Sequence, residues 1–501
     1  MRRFIRVNVS QGSFSTGSFS RGRFSRGRFS RDRFSRGSAA RLGRLIVVIG
    51  ILPGAFVPTS RPAAGQAPGR QVNQPPGQEL FTREWQPGDR LSDAGDALGP
   101  MYNEVSCAKC HRLGGIGGAG PNENNVDLLT IERPERTLTN AQKERFGFET
   151  PACSTLTNAQ MKRFRERVHA LHPGFHAQAG QAASVVLHRF GTDDGYAFFR
   201  DNLLRTKERR TQPASNGVIK HRYASLRHTQ RNSTALFGAG LIDTVPAAAL
   251  EEAALQQARK GGGVSGRVPL SNQGGPGRFG WRGQTATLRD FVLTACAMEV
   301  GLEVPGHHQA VDPFDPERAP RGLDLNAEQC DQLVAFVAKL SAPTRFEPAE
   351  RQAAADVQAG ETTFEAIGCA VCHCRQMGPV TGIYSDLLLH DMGPALADPV
   401  PAVSEQSPAG GGYFGGAVDL FARVNTVVHQ ELLQDWRTPP LWGVHDSAPY
   451  LHDGRAATMD DAIRLHGGEA NTSLQNYNEL PQRQRTQVIA FLNCLVAPGG
   501  P

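Results

Sequence analysis

Apolar positions along the chain fall into a few distinct patterns. The longest near-continuous apolar run is Leu45–Val57, 13 residues behind a basic stretch, short of the roughly 20 that a membrane-spanning helix needs. Two later segments repeat apolar residues at helical spacing: "AEQCDQLVAFVAKLS" (327–341) and "RTQVIAFLNCLV" (485–496). Each predicts an amphipathic helix. Two shorter stretches, "GQELFTREW" and "VQAGETTFEAIG", each carry an aromatic residue in a short helical pattern. The Pro-containing "APTRFEPAE" lies between the two halves and reads as a linker.

The first 67 residues read as an export segment. Small residues in "PAAGQA" follow the apolar run and suit cleavage near Gly65 or Ala67. The basic part holds a period-five Arg/Ser/Gly/Phe repeat that cannot bury a core. These residues carry 13 Arg and one Asp, so a formal charge of +6 over 501 residues leaves the rest of the chain at −6. A mildly acidic body gives no basis for a nucleic-acid partner. The expectation is a periplasmic, exported protein, held at the membrane only if the leader stays uncleaved.

CxxCH occurs twice, as "SCAKCH" (Cys107, Cys110, His111) and "GCAVCHC" (Cys369, Cys372, His373), 262 residues apart. CxxCH is the attachment pattern of c-type haem: two thiols add to the porphyrin and the adjacent His reaches the iron. A zinc module brings its second CxxC much closer, and a redox dithiol needs no following His. Two covalent haems are therefore expected. The fold follows as mainly α, with two cytochrome c-like haem domains. The boundaries read as 1–67 export segment, 68–78 linker, 79–343 first haem domain with a large loop-rich insertion, and 344–501 second haem domain. Within the insertion "TLTNAQKERF" and "TLTNAQMKRF" form a local duplication. Of the remaining cysteines, Cys296 with Cys330 and Cys374 with Cys494 are pairings that sequence leaves open, and Cys153 is then odd.

"RTPPLWGVHDSAPYLHDGRAATMDDAIRLHGGEA" (437–470) resembles the second-haem region of the bacterial di-haem cytochrome c peroxidase superfamily. "RNSTALFGAGLIDTVP" and "GRFGWRGQTATLRDFVLTACAMEVG" are similar to its di-haem oxidoreductase branch. The resemblance implies roles for named residues. Trp281 matches a Trp that relays electrons between the haems. Glu299, eighteen residues later, matches a Glu that assists peroxide cleavage, although Phe291 stands where the family has Gln. Asn232, Ser447 and Pro449 match an oxygen-ligand set for calcium; both segments are also ordinary turn sequences. The sixth ligand of the second haem falls fourteen residues after His452, at His466. Met392 and His390 are rivals for that place. Met is usual there, and a His/His haem sits at lower potential than a His/Met haem. The family's distal His on the first haem falls at Asp127, which implies an open face there unless His188 caps it.

The resemblance thus implies a periplasmic di-haem peroxidase-type oxidoreductase. A small cytochrome or cupredoxin would donate electrons to the second haem, and peroxide or O2 would react at the first. The alternatives are a non-enzymatic di-haem electron carrier and a di-haem oxygenase or protein-modifying oxidase.

Overall fold

The computed structural model describes residues 76–132, 166, 169–176, 184–204, 217–220, 225–272, 274–343, 345–398 and 434–498. The export segment, the local duplication and Cys153 lie outside the described residues.

Two helix pairs frame the molecule. In the first, α1 (Pro76–Thr82) crosses α3 (Ala327–Ala338); in the second, α4 (Arg351–Ala366) crosses α6 (Gln482–Asn493). Each crossing is made close by one glycine. A Cβ on Gly77 would lie 2.1 Å from the carbonyl oxygen of Gln332, and one on Gly360 would lie 1.9 Å from that of Gln487. One turn further along each helix an aromatic pair closes the contact. Phe81 meets Phe336 and Phe364 meets Phe491, both with centroids 5.3 Å apart, at 55° and 57°. The same notch and the same ring pair are built twice from "G-x-x-x-F" on one helix and "Q-x-x-x-F" on the other. α3 begins on a capping box: the Asn326 side chain accepts from the Gln329 backbone, and the Gln329 side chain accepts from the Asn326 backbone.

The largest core surrounds the first pair, with Leu80, Phe81, Trp85, Leu333 and Val337. It runs on into Met377, Ile383, Leu387 and Trp442 of the second half. A further core, centred on Phe364, Tyr477, Val488 and Phe491, belongs to the second pair.

The insertion differs from the loop-rich expectation. It carries a four-stranded antiparallel sheet in the order β2-β1-β4-β3, where β1 is Val126–Glu132, β2 Ser184–Leu187, β3 Gly217–Lys220 and β4 Ser225–Arg231. The fold is thus more mixed than mainly α. The physical reason lies in β1, whose two faces are both covered: Val126 and Leu128 pack with Val186 and Met298, and Leu129 packs with Leu187, Leu226 and Phe175. A strand buried on both sides loses the alternation that marks a strand in sequence. A small ribbon of β5 (Leu389–Asp391) and β6 (Asp435–Arg437) lies in the second half.

All eight described cysteines carry free thiols, so neither proposed disulfide is formed. Cys296 and Cys330 are instead packed in the apolar core. No helix among the described residues is long and apolar enough to cross a membrane.

Candidate functional site

The two CxxCH segments adopt the same turn. The His111 N–H donates to the Cys107 carbonyl at 2.9 Å, and the His373 N–H donates to the Cys369 carbonyl at 3.0 Å. Both cysteines and the histidine therefore sit on one helical turn. Each histidine ring is then oriented from behind. His111 Nδ1 donates to Gly118 O at 3.1 Å, and His373 Nδ1 donates to Tyr384 O at 3.0 Å. Phe81 and Phe364 flank these rings at 6.5 and 6.4 Å. A carbonyl on Nδ1 sets the tautomer in which Nε2 is the atom that can serve as a ligand. Burial pulls both imidazoles down to about 4, which keeps them neutral. Burial also pushes the Cys107 and Cys369 thiols up to about 12.

Each turn opens on its own cavity. The larger is predominantly apolar and is lined by Cys369, Cys372, His373 and His466, with Trp442 and Leu474. His466 follows helix α5 (Met459–Arg464), whose cap Thr458 accepts from the Asp461 N–H. Its Nδ1 donates to Ala462 O at 2.7 Å, the same arrangement as at the other two histidines. His373 and His466 lie with ring centroids 6.5 Å apart. Each ring has its Nδ1 spent on a carbonyl, so Nε2 is the atom each would offer to a metal. The pair therefore fits one metal centre between the rings.

The rivals for that ligand position are placed differently. His390 lines the cavity, but its Nε2 bonds Asp386 at 2.9 Å and its Nδ1 bonds Glu469 at 2.7 Å. Burial alone would lower its pKa. The bonds to Asp386, Cys372 and Glu469 outweigh that and push it up to about 12. Both ring nitrogens of His390 are thus engaged by carboxylates, whereas His466 keeps Nε2 for the space facing His373. Arg267 extends the network by pairing with both Glu469 and Asp435. Met392 also lines this cavity.

The second cavity is lined by Cys107, Cys110, His111, Trp281, Phe291 and Glu299. Among the described residues lining it, His111 is the single histidine. Glu299 stands on a π-helical turn, Cys296–Val300, that widens the end of helix α2 (Leu288–Ala295). Its Oε2 accepts from Asn103 Nδ2 at 2.7 Å, while Oε1 is buried without a partner. Burial pushes this carboxyl up to about 7, against the pull of the Asn103 bond. A carboxyl near neutrality suits proton transfer in either direction.

His188 does not line this cavity; its Nε2 donates to Met298 O at 2.8 Å. Asp127 is buried in the sheet, where it binds Arg200, His228 and Gln230. Trp281 contributes to both cavity walls and donates from Nε1 to Asn232 O at 2.9 Å. Beyond it, His452 meets the Trp281 ring edge at 6.3 Å and stacks on Trp436 at 3.7 Å. Asn232, Ser447 and Pro449 all line the larger cavity. The Asn232 amide donates to Gly120 O and Asn125 Oδ1, and the Ser447 hydroxyl donates to Gly443 O.

Sequence reasoning missed Asn103 and the Asp386–His390–Glu469–Arg267 network. Asn103 lies only four positions before Cys107, but its partner is 196 residues away. A polar residue between Tyr102 and Glu104 carries no local sign of that contact.

Residues 429–495 match the family model described as "Di-haem oxidoreductase, putative peroxidase". That segment includes His452 and His466. No curated protein matches. Among solved structures, the chain is similar to hydrazine synthase of Kuenenia stuttgartiensis pressurised with xenon. That likeness has a TM-score of 0.29 and 15% identity, covering 73% of this chain and 100% of that one. It is also similar to a MauG-like protein associated with microbial copper homeostasis, at TM-score 0.27 and 18% identity, covering 46% of this chain and 77% of that one.

Proposed function

From the match of residues 429–495 to the di-haem oxidoreductase family model, we propose that this chain is a c-type peroxidase-type enzyme with divided labour between two haems. The observation that carries the reading is the asymmetry of the cavities. One has two facing histidines, His373 and His466; the other has His111 and a buried carboxyl. Bound haem would supply electron transfer in the cavity with two facing histidines and peroxide activation in the cavity with one.

The chain's own residues would act as follows. Cys369 and Cys372 would hold the second haem covalently, with His373 and His466 as its ligands. Cys107 and Cys110 would hold the first, with His111 as its ligand. Trp281, in the walls of both cavities, is the electron relay. Glu299 takes a proton from the inner oxygen of hydrogen peroxide and returns it to the outer oxygen, so that the leaving oxygen departs as water. Two electrons and two protons complete the reduction to two waters. A small exported cytochrome or cupredoxin supplies the electrons, and the enzyme works in the periplasm. Calcium held at Asn232, Ser447 and Pro449 would order the segment between the haems, as oxygen ligands suit a hard cation.

Low-temperature EPR of the ferric holoprotein, with and without peroxide, tests the division. One low-spin and one high-spin centre, with only the latter responding to peroxide, is the expected result. Two low-spin centres indifferent to peroxide would make the chain an electron carrier. Glu299→Gln should lower peroxide cleavage by about a hundredfold or more.

Phe291 favours a second reading. Its ring stacks on Phe279 at 5.6 Å and lines the peroxide cavity. An apolar wall suits an organic substrate or O2, and a stable ferrous–O2 form would select the oxygenase reading.

A further inference from the structure

Among the described residues, three arginines are buried: Arg231, Arg282 and Arg437. Two of them share a counter-charge, since Asp398 pairs with Arg231 at 2.5 Å and Arg282 at 2.9 Å. Arg437 does not. It is 5% exposed at the end of β6, and it bonds only backbone carbonyls: Nε donates to Gly280 O at 2.7 Å and Nη1 to Thr438 O at 3.4 Å. Asp386 acts on it from longer range but is committed to His390 and Gln257. A buried charge is retained when something pairs with it, and among the described residues no carboxylate does so here.

The place of this residue says what the partner is. Arg437 lines the cavity of Cys369, Cys372, His373 and His466. So does Arg278, whose Nε donates to Val245 O at 2.7 Å and whose Nη1 donates to Ala286 O at 3.1 Å and Pro276 O at 3.3 Å. The two arginines are joined through one short segment, because Arg437 bonds the carbonyl of Gly280, two residues after Arg278. The cavity wall is otherwise mainly apolar. Two cations with only carbonyl partners among the described residues, both on the wall of one mainly apolar cavity, match an apolar ligand that carries two carboxylates.

We propose that Arg437 and Arg278 form an anion clamp for the two carboxylate arms of the second haem. The inference rests on the di-haem reading and deepens it. The thioether bonds fix one edge of the macrocycle, and the clamp would fix the carboxylate edge and hold those groups ionised. A buried cation beside the macrocycle favours the reduced state, so the clamp also raises the potential of this haem. That effect opposes the low potential which His/His ligation confers. Burial pulls the Arg437 guanidinium down to about 10 when the protein alone surrounds it, and an anionic partner reverses that pull.

The test uses the holoprotein with Arg437→Met and Arg437→Lys. Haem content is counted first, by the pyridine haemochrome. Spectroelectrochemical titration of the low-spin haem then follows its midpoint across the neutral pH range. The wild type should be nearly independent of pH. Arg437→Met should disfavour reduction at least tenfold, equivalent to 59 mV for one electron. Its midpoint should also rise as pH falls, because a released carboxylate now takes up a proton on reduction. Arg437→Lys should lie between them. An Arg437→Met protein with both haems and an unchanged, pH-independent midpoint overturns the clamp and leaves the di-haem reading standing. If that variant does not assemble, resonance Raman bands of the haem carboxylates decide between wild type and Arg437→Lys. Shifted bands support the clamp and identical bands overturn it. A wild-type protein without haem overturns the di-haem reading and the clamp with it.

Discussion

Replacing Asn103 by Leu should move the acidic limb of peroxide turnover to higher pH. Asn103 is 1% exposed and holds Glu299 from two sides. Its side chain donates to Glu299 Oε2 at 2.7 Å, and its own backbone N–H donates to the Glu299 carbonyl at 2.7 Å. The amide cannot turn over, because its Oδ1 accepts from the Arg189 N–H at 3.0 Å. Oε2 is thereby fixed as an acceptor, and any proton on the carboxyl belongs on Oε1. Burial raises Glu299 to about 7 while the Asn103 bond pulls it down. A hydrogen bond to a charged group is worth about 1.5–3 kcal/mol. At about 1.4 kcal/mol per pKa unit, its loss should raise the carboxyl by about one to two units. Glu299 must begin as a base, so turnover should rise with pH through about 7 in the wild type. In Asn103→Leu the same limb should appear about one to two units higher. The assay is the pH profile of kcat/KM for peroxide, which reports groups of the free enzyme. Glu299→Gln should lose the limb altogether. A wild-type limb near 7 that Asn103→Leu leaves in place would refute the reasoning, because the bond would then have no hold on the titrating group.

Exchange of His466 for Met should keep the second haem six-coordinate and raise its midpoint, since His/Met haems lie above His/His haems; spectroelectrochemistry checks both. His390→Leu should destabilise the protein by about 3 kcal/mol or more, because the buried Asp386 carboxylate loses its cation while the half-buried Glu469 keeps Arg267; thermal or denaturant unfolding reads this directly. Gly77→Ala and Gly360→Ala should each cost about 1–3 kcal/mol, although Ala is the better helix former by about 1 kcal/mol. Unchanged unfolding midpoints would mean that the helix crossings give way without strain.

What could be read from sequence was what chemistry forces to be contiguous. The two CxxCH turns are local, because both thiols and the ligand must meet one face of one haem. Helices α3 and α6 announced themselves because each buries one face and leaves the other wet. The distance from His452 singles out His466, which the structure places facing His373. The rest depends on pairings that no local pattern encodes. Glu299 meets Asn103 across 196 positions, His390 meets Glu469 across 79, and Arg267 meets Asp435 across 168. The sheet escaped notice because β1 is covered on both faces and sits in a Gly-, Pro- and Arg-rich stretch. The suggested disulfides failed for a related reason: nearness to a Pro-rich loop says nothing about whether two thiols share a bond or an apolar core.

The doubled helix crossing also serves as a ruler for the two halves of the chain. Gly77 and Phe81 superpose in kind on Gly360 and Phe364, and Gln332 and Phe336 on Gln487 and Phe491. These anchors allow the halves to be laid against each other where ordinary comparison of their letters would drift. Between notch and answering helix the chain runs 255 positions in the first half and 127 in the second, an excess of 128. That excess is chain that the first pair of crossing helices must hold together and the second need not, and the four-stranded sheet lies within it. Closing the longer interval costs only about 0.6 kcal/mol more in loop entropy for each doubling of length, so the first crossing can carry the sheet with little entropic penalty.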